Sequence, residues 1–357
     1  MKKLLLLILG FSAFNLSAQK KVLTHDVYDG WKNLRHQQIS NDGNWISYEI
    51  NPQQGDGFLY LYNVKKRVLD SVARGYGAKF TSDSKLLTYK IKVQYDTLRK
   101  AKLKKVKKEK LPKDSLAIWN LTTNKVTKYP NVKSIKIPKA GKQMIAFLLQ
   151  MPKSVKDTTT TDSVEKKQPK AKKNKKKIEK IGQLSVYNYI TKKIQQFDSV
   201  TDYHIARNGT AVVFSQLKND TITKLQKVTL NNSHTIFEKM GTLKQPVLSP
   251  NGKQVAFLFS ADTTKHKCFA LYYGNEEKSA TVVVDTLNKN IEDNYSASEN
   301  GKLYFSQNNK KLYFGVAPKP VKAPKDTLLE EEKYHVDVWN WKDPLLQTQQ
   351  KHDAEEE

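Results

Sequence analysis

The sequence predicts an all-β protein, a β-propeller with an incomplete set of blades and two lysine-rich insertions. Three observations predict this fold. A polar turn recurs six times, each turn leads into strands rich in aromatic and β-branched residues, and the copies lie 41 to 68 residues apart. With 17 Tyr, 13 Phe and 5 Trp against 15 Gly and 12 Pro in 357 residues, the composition excludes collagen-like and wholly disordered chains.

Residues 1–18 predict a signal peptide. Lys2 and Lys3 precede an apolar run, residues 4–14, that is too short to span a bilayer, and Ala18 supplies a small residue for cleavage. We therefore expect an exported mature chain, residues 19–357, that is periplasmic, surface-bound or secreted and does not span the membrane. Cys268 is the only cysteine, which excludes an internal disulfide, and its neighbours predict a packed strand residue.

The recurring turn ends in a glycine or a small polar residue, because a tight turn needs a backbone that such residues tolerate. The turn residues are 43, 84, 141, 209, 252 and 301, and the sixth copy is read as Ser298-Glu299-Asn300-Gly301 ahead of Leu303. Each turn is followed by an aromatic residue that we expect to be buried between neighbouring sheets. These residues are Trp45, Tyr89, Phe147, Phe214, Phe257 and Phe305.

A second strand follows each turn unit, as in LYLYN at 59–63, LAIWN at 116–120, LSVYN at 184–188 and FALYY at 269–273. A polar hairpin then leads into a third strand. A small antiparallel sheet of this kind cannot bury both faces alone, so it must stack on its own copies, which is the arrangement of propeller blades. A β-sandwich with accidental Asn-Gly turns is the alternative, and six copies at one strand position favour the propeller.

Two insertions carry +15 of the net charge of +27. Residues 92–113 hold ten basic side chains and could be partly helical, whereas residues 152–180 hold eleven and lack apolar periodicity, which predicts a disordered loop. Neither segment interleaves aromatic or glycine residues as nucleic-acid-binding segments do, so we expect no nucleic acid partner. Solvated loops are the favoured interpretation. Attraction to anionic envelope material or to an acidic partner is the alternative.

No motif for catalysis or metal binding occurs. The chain has no G-x-S-x-G elbow, no H-E-x-x-H and no pair of cysteines, and Gly55-Asp56-Gly57 lacks the third glycine of a dinucleotide fingerprint. The acidic runs at 276–277 and 330–332 lie in polar turns and are typical of solvated surface. The sequence therefore predicts no catalytic, cofactor-binding or metal-binding residue and no cofactor.

Six segments resemble the N-terminal propeller of exported prolyl oligopeptidase-type serine peptidases, as found in Bacteroidetes-like bacteria, and the blades resemble those of TolB and WD-repeat proteins. The segments are HDVYDGW at 25–31, ISNDG at 39–43, YEINPQQGDG at 48–57, RGY at 74–76, PKDSL at 112–116 and VWNWKDP at 338–344. In that family, the propeller precedes an α/β-hydrolase domain with a Ser, Asp and His triad and filters peptides on their way to it. No residue of this chain matches a member of that triad.

The resemblance implies a propeller module, truncated or split, that gates or docks short peptides for a hydrolase domain supplied elsewhere. A peptidase domain or another protein chain is then the expected partner. The alternative is a stand-alone envelope propeller that binds a protein or a glycan. A hydrolase reading frame directly downstream would favour the first function.

Overall fold

The computed structural model describes residues 24–107, 110–141, 144–150, 181–219, 221–230, 232–263, 266–276, 279–321 and 340–356. The predicted signal peptide and the predicted disordered loop lie outside these residues. The chain divides into two units, Met1–Lys319 and Pro320–Glu357. In the smaller unit, the described part holds a turn at Asn340, whose side chain accepts a hydrogen bond from the Lys342 backbone, and helix α2 (Gln347–Glu356).

The described part of the larger unit starts with a 3₁₀ helix (His25–Gly30) and continues as antiparallel sheets, and consecutive strands are neighbours in the first five of them. Sheet 1 contains β1 (Lys32–Ile39), β2 (Trp45–Pro52), β3 (Phe58–Asn63) and β4 (Val68–Ala73). Sheet 2 contains β5 (Gly75–Phe80), β6 (Leu86–Ile91), β7 (Ser115–Asn120) and β8 (Lys125–Tyr129). Sheet 5 contains β16 (Thr242–Leu248), β17 (Val255–Ser260), β18 (Ala270–Gly274) and β19 (Thr281–Val284).

Sheets 3 and 4 share one long strand and form a continuous seven-stranded sheet. Its strands are β9 (Val132–Lys136), β10 (Met144–Leu149), β11 (Gly182–Asn188), β12 (Lys193–Ile205), β13 (Ala211–Lys218), β14 (Ile222–Thr229) and β15 (Ser233–Met240). The first half of β12 pairs with β11, and the second half pairs with β13. β12 is thus the last strand of sheet 3 and the first strand of sheet 4.

A residue with left-handed backbone marks every passage from one sheet to the next. The φ angles are 62° at Arg74, 56° at Asn131, 58° at Ser199, 147° at Gly241 and 65° at Asn294. Residues with a Cβ avoid this region, so the four non-glycine positions adopt it at a local conformational cost that the flanking strands offset, whereas Gly241 adopts it freely. Ser199 lies inside β12, which explains how one strand serves two sheets.

The sixth sheet corrects the predicted register of the last repeat. What we call sheet 6 consists of two strand pairs: β20 (Tyr295–Ala297) pairs with β23 (Val316–Pro318), and β21 (Tyr304–Phe305) pairs with β22 (Leu312–Tyr313). The predicted turn at 298–301 was wrong, because the hydrogen bonds that close the turn of the repeat occur at residues 306–311. Gly301 instead packs against Gly315, where a Cβ would lie 2.5 Å from the Gly315 Cα.

The sixth turn lies at residues 306–311, where Asn309 has φ 62°. There the Ser306 hydroxyl donates to Asn308 Oδ1 at 2.7 Å, and the Lys311 backbone N–H donates back to Ser306 Oγ at 2.9 Å. The first turn has the same geometry, in which Ser40 donates to Asp42 at 2.5 Å. Asn replaces Gly because its short polar side chain tolerates left-handed backbone.

The core consists of five clusters, and each lies between two consecutive sheets. Tyr89, Phe147, Phe214, Phe257 and Phe305 each belong to a different one of them and are buried, as predicted. Phe305 differs in position, because it lies directly before the sixth turn and not after it. Trp45 is half-buried at the edge of the cluster between sheets 1 and 2. Stacked antiparallel sheets with the core between them form the predicted β-propeller.

Two further predictions concern loops. Cys268 is a half-buried free cysteine two residues before β18, so the prediction of a packed strand residue was wrong by a short margin. Helix α1 (Tyr95–Leu103) lies within the first basic insertion. The Asp56 carboxylate accepts a hydrogen bond from the Tyr95 backbone N–H at 3.0 Å, so the start of the helix is attached to a loop of sheet 1.

Candidate binding site

In each of sheets 2 to 6, one strand leads into the turn of the repeat, and we call it the inner strand; these strands are β5, β9, β12, β16 and β21. The inner strands meet at one cavity of about 520 Å³, which we call the inner cavity. Each of sheets 2 to 6 contributes the side chain two residues before its turn. These side chains are Lys79, Lys136, His204, Val247 and Tyr304. One position of the repeat therefore lines the cavity, and it lies on the strand that leads into the turn.

A chain of hydrogen bonds joins the six turns at one end of the propeller. Each bond runs from a turn to the turn of the next sheet, as in Asn41 to Ser82 at 3.0 Å and Asn208 to Asn251 at 2.9 Å. The fifth turn is joined to the sixth by the Asn251 backbone N–H, which donates to Asn309 Oδ1 at 3.0 Å. These bonds hold the inner strands in a fixed order around the cavity.

The inner cavity is cationic. Lys79, Lys136, Lys139 and Arg207 line it, together with apolar side chains of the inner strands, and its described lining includes no Asp or Glu. Lys79, Lys139 and Arg207 are exposed, so they keep their charge in contact with water at the cavity wall. A wall with one sign of charge concentrates oppositely charged solutes within it.

His204 is held neutral in one tautomer. Its Nδ1 accepts a hydrogen bond from the Leu248 backbone N–H at 3.1 Å, which leaves the proton on Nε2. Burial lowers the pKa of His204 to about 4, and the neighbouring charge of Lys136 lowers it further in the same direction. At neutral pH, His204 therefore offers the cavity a neutral hydrogen-bond donor.

Lys136 is fixed against the inner strand of sheet 4. Its ammonium group donates to the Tyr203 carbonyl and lies 4.6 Å from the centroid of the Tyr203 ring. The Tyr203 hydroxyl in turn shares a hydrogen bond of 2.9 Å with Ser134. Burial lowers the pKa of Lys136, and the nearby charge of Asp202 opposes that shift.

A second cavity, of about 480 Å³, lies beside Thr201 and Asp202 of β12, further from the turn than the inner cavity, and we call it the threonine cavity. Asp202 lines it and is open to water there, yet protein surrounds the carboxyl group closely enough that desolvation raises its pKa, against the opposing charge of Lys136. The threonines that line this cavity are Thr201, Thr221, Thr223, Thr242 and Thr263.

The two cavities follow one another along β12. Asp202 lines one and His204 the other, and a strand rises about 3.3 Å per residue, so the two side chains lie roughly 7 Å apart along the strand. Lys136 interacts with both groups and therefore lies at the boundary. The two cavities are therefore neighbours along one inner strand.

The sequence reasoning named none of these residues as a site. It followed the turns and the aromatic strands, whereas the inner strands carry no motif of their own. Only the position in the repeat could have identified them, because the residue two positions before the turn lines the inner cavity in five sheets. Among the described residues, no three His, Cys, Asp or Glu side chains come together as a metal site requires.

No protein-family model matches the sequence, and no curated protein matches it. Several solved structures are similar in fold. The chain is 11% identical to uncomplexed acylaminoacyl peptidase of Pyrococcus horikoshii, with a TM-score of 0.41, over 81% of this chain and 43% of the peptidase. The β-propeller domain of the Trilobed protease from Pyrococcus furiosus is 9% identical, with a TM-score of 0.39, over 80% of this chain and 79% of that domain.

A putative TolB from Agrobacterium tumefaciens is 11% identical, with a TM-score of 0.35, over 81% of this chain and 91% of its own. The similarity to the acylaminoacyl peptidase, in contrast, covers less than half the length of that protein. These similarities concern the fold, and the propeller assignment rests on the strand order and the packing of the sheets. In the described part of the chain, no helix combines the length and the apolar character needed to cross a bilayer.

Proposed function

We propose that this propeller admits short peptides to a prolyl oligopeptidase-type serine peptidase, whose hydrolase domain is supplied outside these 357 residues. The observation that carries the proposal is the pair of cavities along β12. Each has a volume within the range of about 300 to 1,000 Å³ that is usual for ligand sites. Export, suggested by the predicted signal peptide, would place the module where peptides from outside the cell are met.

The inner cavity and the threonine cavity, taken together as one path, suit an extended peptide. A peptide backbone needs hydrogen-bonding partners on both sides, and the cavities offer threonine hydroxyls, the Asp202 carboxyl group and the Nε2–H of His204. Apolar side chains such as Leu243 and Val247 lie between these polar groups. A path lined in this way accepts many peptide sequences, which a filtering module requires.

The single cysteine allows a direct test. Cys268 follows Lys267, which lines the threonine cavity, and its backbone N–H donates to the Asp262 carboxylate at 2.9 Å. An environment-sensitive fluorophore on Cys268 should respond saturably when short blocked peptides are added to the full chain. Thr263→Trp, at an exposed position of the cavity wall, should weaken the binding at least tenfold.

The matched control is Thr191→Trp, which places the same side chain on an exposed hairpin of sheet 3. If the two variants bind the peptides with equal affinity, the threonine cavity is not the peptide-binding site. The proposal also requires that no serine of this chain be a nucleophile. Stoichiometric labelling of one serine by a phosphonate probe would contradict it.

One observation favours the alternative, a stand-alone binding protein for a protein or a glycan. The face of sheet 1 that points away from sheet 2 carries Phe58, which is 43% exposed, and the stacked rings of Tyr48 and Tyr60, 5.3 Å apart. Exposed aromatic residues are frequent in interaction surfaces. A chain that binds no peptide and loses a partner on Phe58→Ser would support this alternative.

A further inference from the structure

We infer that the inner cavity selects peptides that carry carboxylate groups, a specificity that rests on the proposed function and narrows its substrate class. The cavity contains four cationic side chains from three consecutive sheets, at Lys79, Lys136, Lys139 and Arg207. Its described lining offers no carboxylate to neutralise them. A carboxylate is the anion that every unblocked peptide carries at its C-terminus.

The charges are placed where a ligand can use them. Lys79, Lys139 and Arg207 are exposed at the wall, and none of the three forms one of the ion pairs found among the described side chains. The Arg207 guanidinium presents donors in a fork that matches a carboxylate, whereas the two lysines act as point charges. Three cations around one cavity attract an anion without holding it in a single orientation.

The neutral His204 completes the site. Its Nε2–H is a donor, and its Nδ1 is already occupied by the Leu248 backbone N–H. A carboxylate oxygen accepts hydrogen bonds only, so it can pair with this donor at neutral pH. A cationic ligand group would instead meet four like charges and a ring that has no free acceptor.

The nearest carboxyl group on the same strand, Asp202, does not reverse this preference. It lines the threonine cavity, and Lys136 lies between it and the inner cavity. The charges on the wall therefore change along β12. The threonine cavity has two Asp (Asp202, Asp262) balanced by two Lys (Lys244, Lys267), whereas the described lining of the inner cavity has cations and no carboxylate. A peptide with an anionic end is oriented by this difference, with its carboxylate in the inner cavity.

The test compares labelled peptides of one length by fluorescence anisotropy on the full chain. The set is a neutral peptide with a free C-terminus, the same peptide amidated, an amidated version with two internal Asp, and an amidated version with two internal Lys. We expect the free carboxylate or the Asp pair to bind at least tenfold more tightly than the neutral amide, and the Lys version to bind most weakly. The free and the Asp peptides distinguish the C-terminal carboxylate from acidic side chains.

The double variant Lys79→Gln and Arg207→Gln should remove most of this preference, because both positions are exposed and their loss leaves the core intact. The control is Lys65→Gln with Arg67→Gln, which removes the same two charges from an exposed hairpin of sheet 1. The preference should also fall as salt rises from 0.05 to 0.5 M, since salt screens exposed charges, and those concentrations span Debye lengths of about 14 to 4 Å.

The outcomes separate this inference from the proposed function. If all four peptides bind with equal affinity, or if both double variants behave alike, the charge selection is refuted while peptide admission stands. If no peptide binds at millimolar concentration, peptide admission itself fails and the inference fails with it. A preference for the Lys peptide would contradict the assignment of the cationic wall.

Discussion

Phe257→Ala tests the packing of sheet 4 on sheet 5. The Phe257 ring is fully buried, stacks on Tyr272 with centroids 5.2 Å apart, and lies 5.0 Å from the Phe237 centroid. The substitution to Ala removes buried apolar area and leaves a cavity, because the two packed sheets cannot move together to fill it. Such substitutions cost about 3 to 5 kcal/mol. With a urea m-value of about 3 kcal/mol per M, the denaturation midpoint should fall by roughly 1 to 1.7 M.

Phe58→Ala is the matched control, because it deletes the same atoms on a strand of the same fold. Phe58 is 43% exposed, so its loss should cost about 1 kcal/mol or less, a midpoint shift of roughly 0.3 M. Both midpoints are measured by urea titration with circular dichroism and tryptophan fluorescence. Equal shifts in the two variants would refute the assignment of Phe257 to an interface between sheets, and with it the order of the repeats.

Three further predictions follow from single contacts. His204 has a pKa of about 4 in the folded chain and 6.5 in the unfolded chain, so between these pH values only the unfolded chain binds the proton. The free energy of unfolding therefore decreases as the pH falls through this window, by about 2 kcal/mol from pH 7 to pH 5. His204→Gln should remove that loss, and urea titrations that show the same loss between pH 7 and pH 5 in both proteins would contradict the prediction. Asp56→Ala should speed hydrogen exchange in Tyr95–Leu103, whereas Asp56→Asn, which keeps an acceptor, should not. Tyr89→Ala should cost more stability than Tyr48→Ala, because only Tyr89 is covered by a preceding sheet.

The repeat was predictable from sequence because its turn is a local structure with local causes. A serine or threonine, then an acidic or amide residue two positions on, closes the turn through its own hydrogen bonds, as Ser40 does with Asp42 and Ser249 with Asn251. Burial of the aromatic strand residues followed from their position in the same repeat. The sixth turn was not predicted correctly, because glycine was taken as the residue that marks each turn, whereas Asn309 occupies that position in the sixth turn.

The inner cavity was not predictable in the same way. Lys136 and His204 lie on strands without a motif, and their neighbours in space come from sheets about 40 to 70 residues apart in the chain. The burial that lowers the pKa of both groups is a property of the assembled sheets and not of the local sequence. Only the register of each inner strand against its turn places these side chains in one cavity.

The first sheet shows what the repeat requires of its neighbours. Tyr48 occupies the repeat position of Tyr89, and Tyr62 occupies that of Trp119, yet Tyr89 and Trp119 are buried while both sheet 1 tyrosines are half-buried. Among the core clusters, sheet 1 contributes only to the one that it shares with sheet 2. A repeat that packs on one side gains about half of the interface energy of an internal repeat. Local opening should therefore begin in sheet 1, while sheets 2 to 5, which pack on both sides and line most of the inner cavity, hold the site in place.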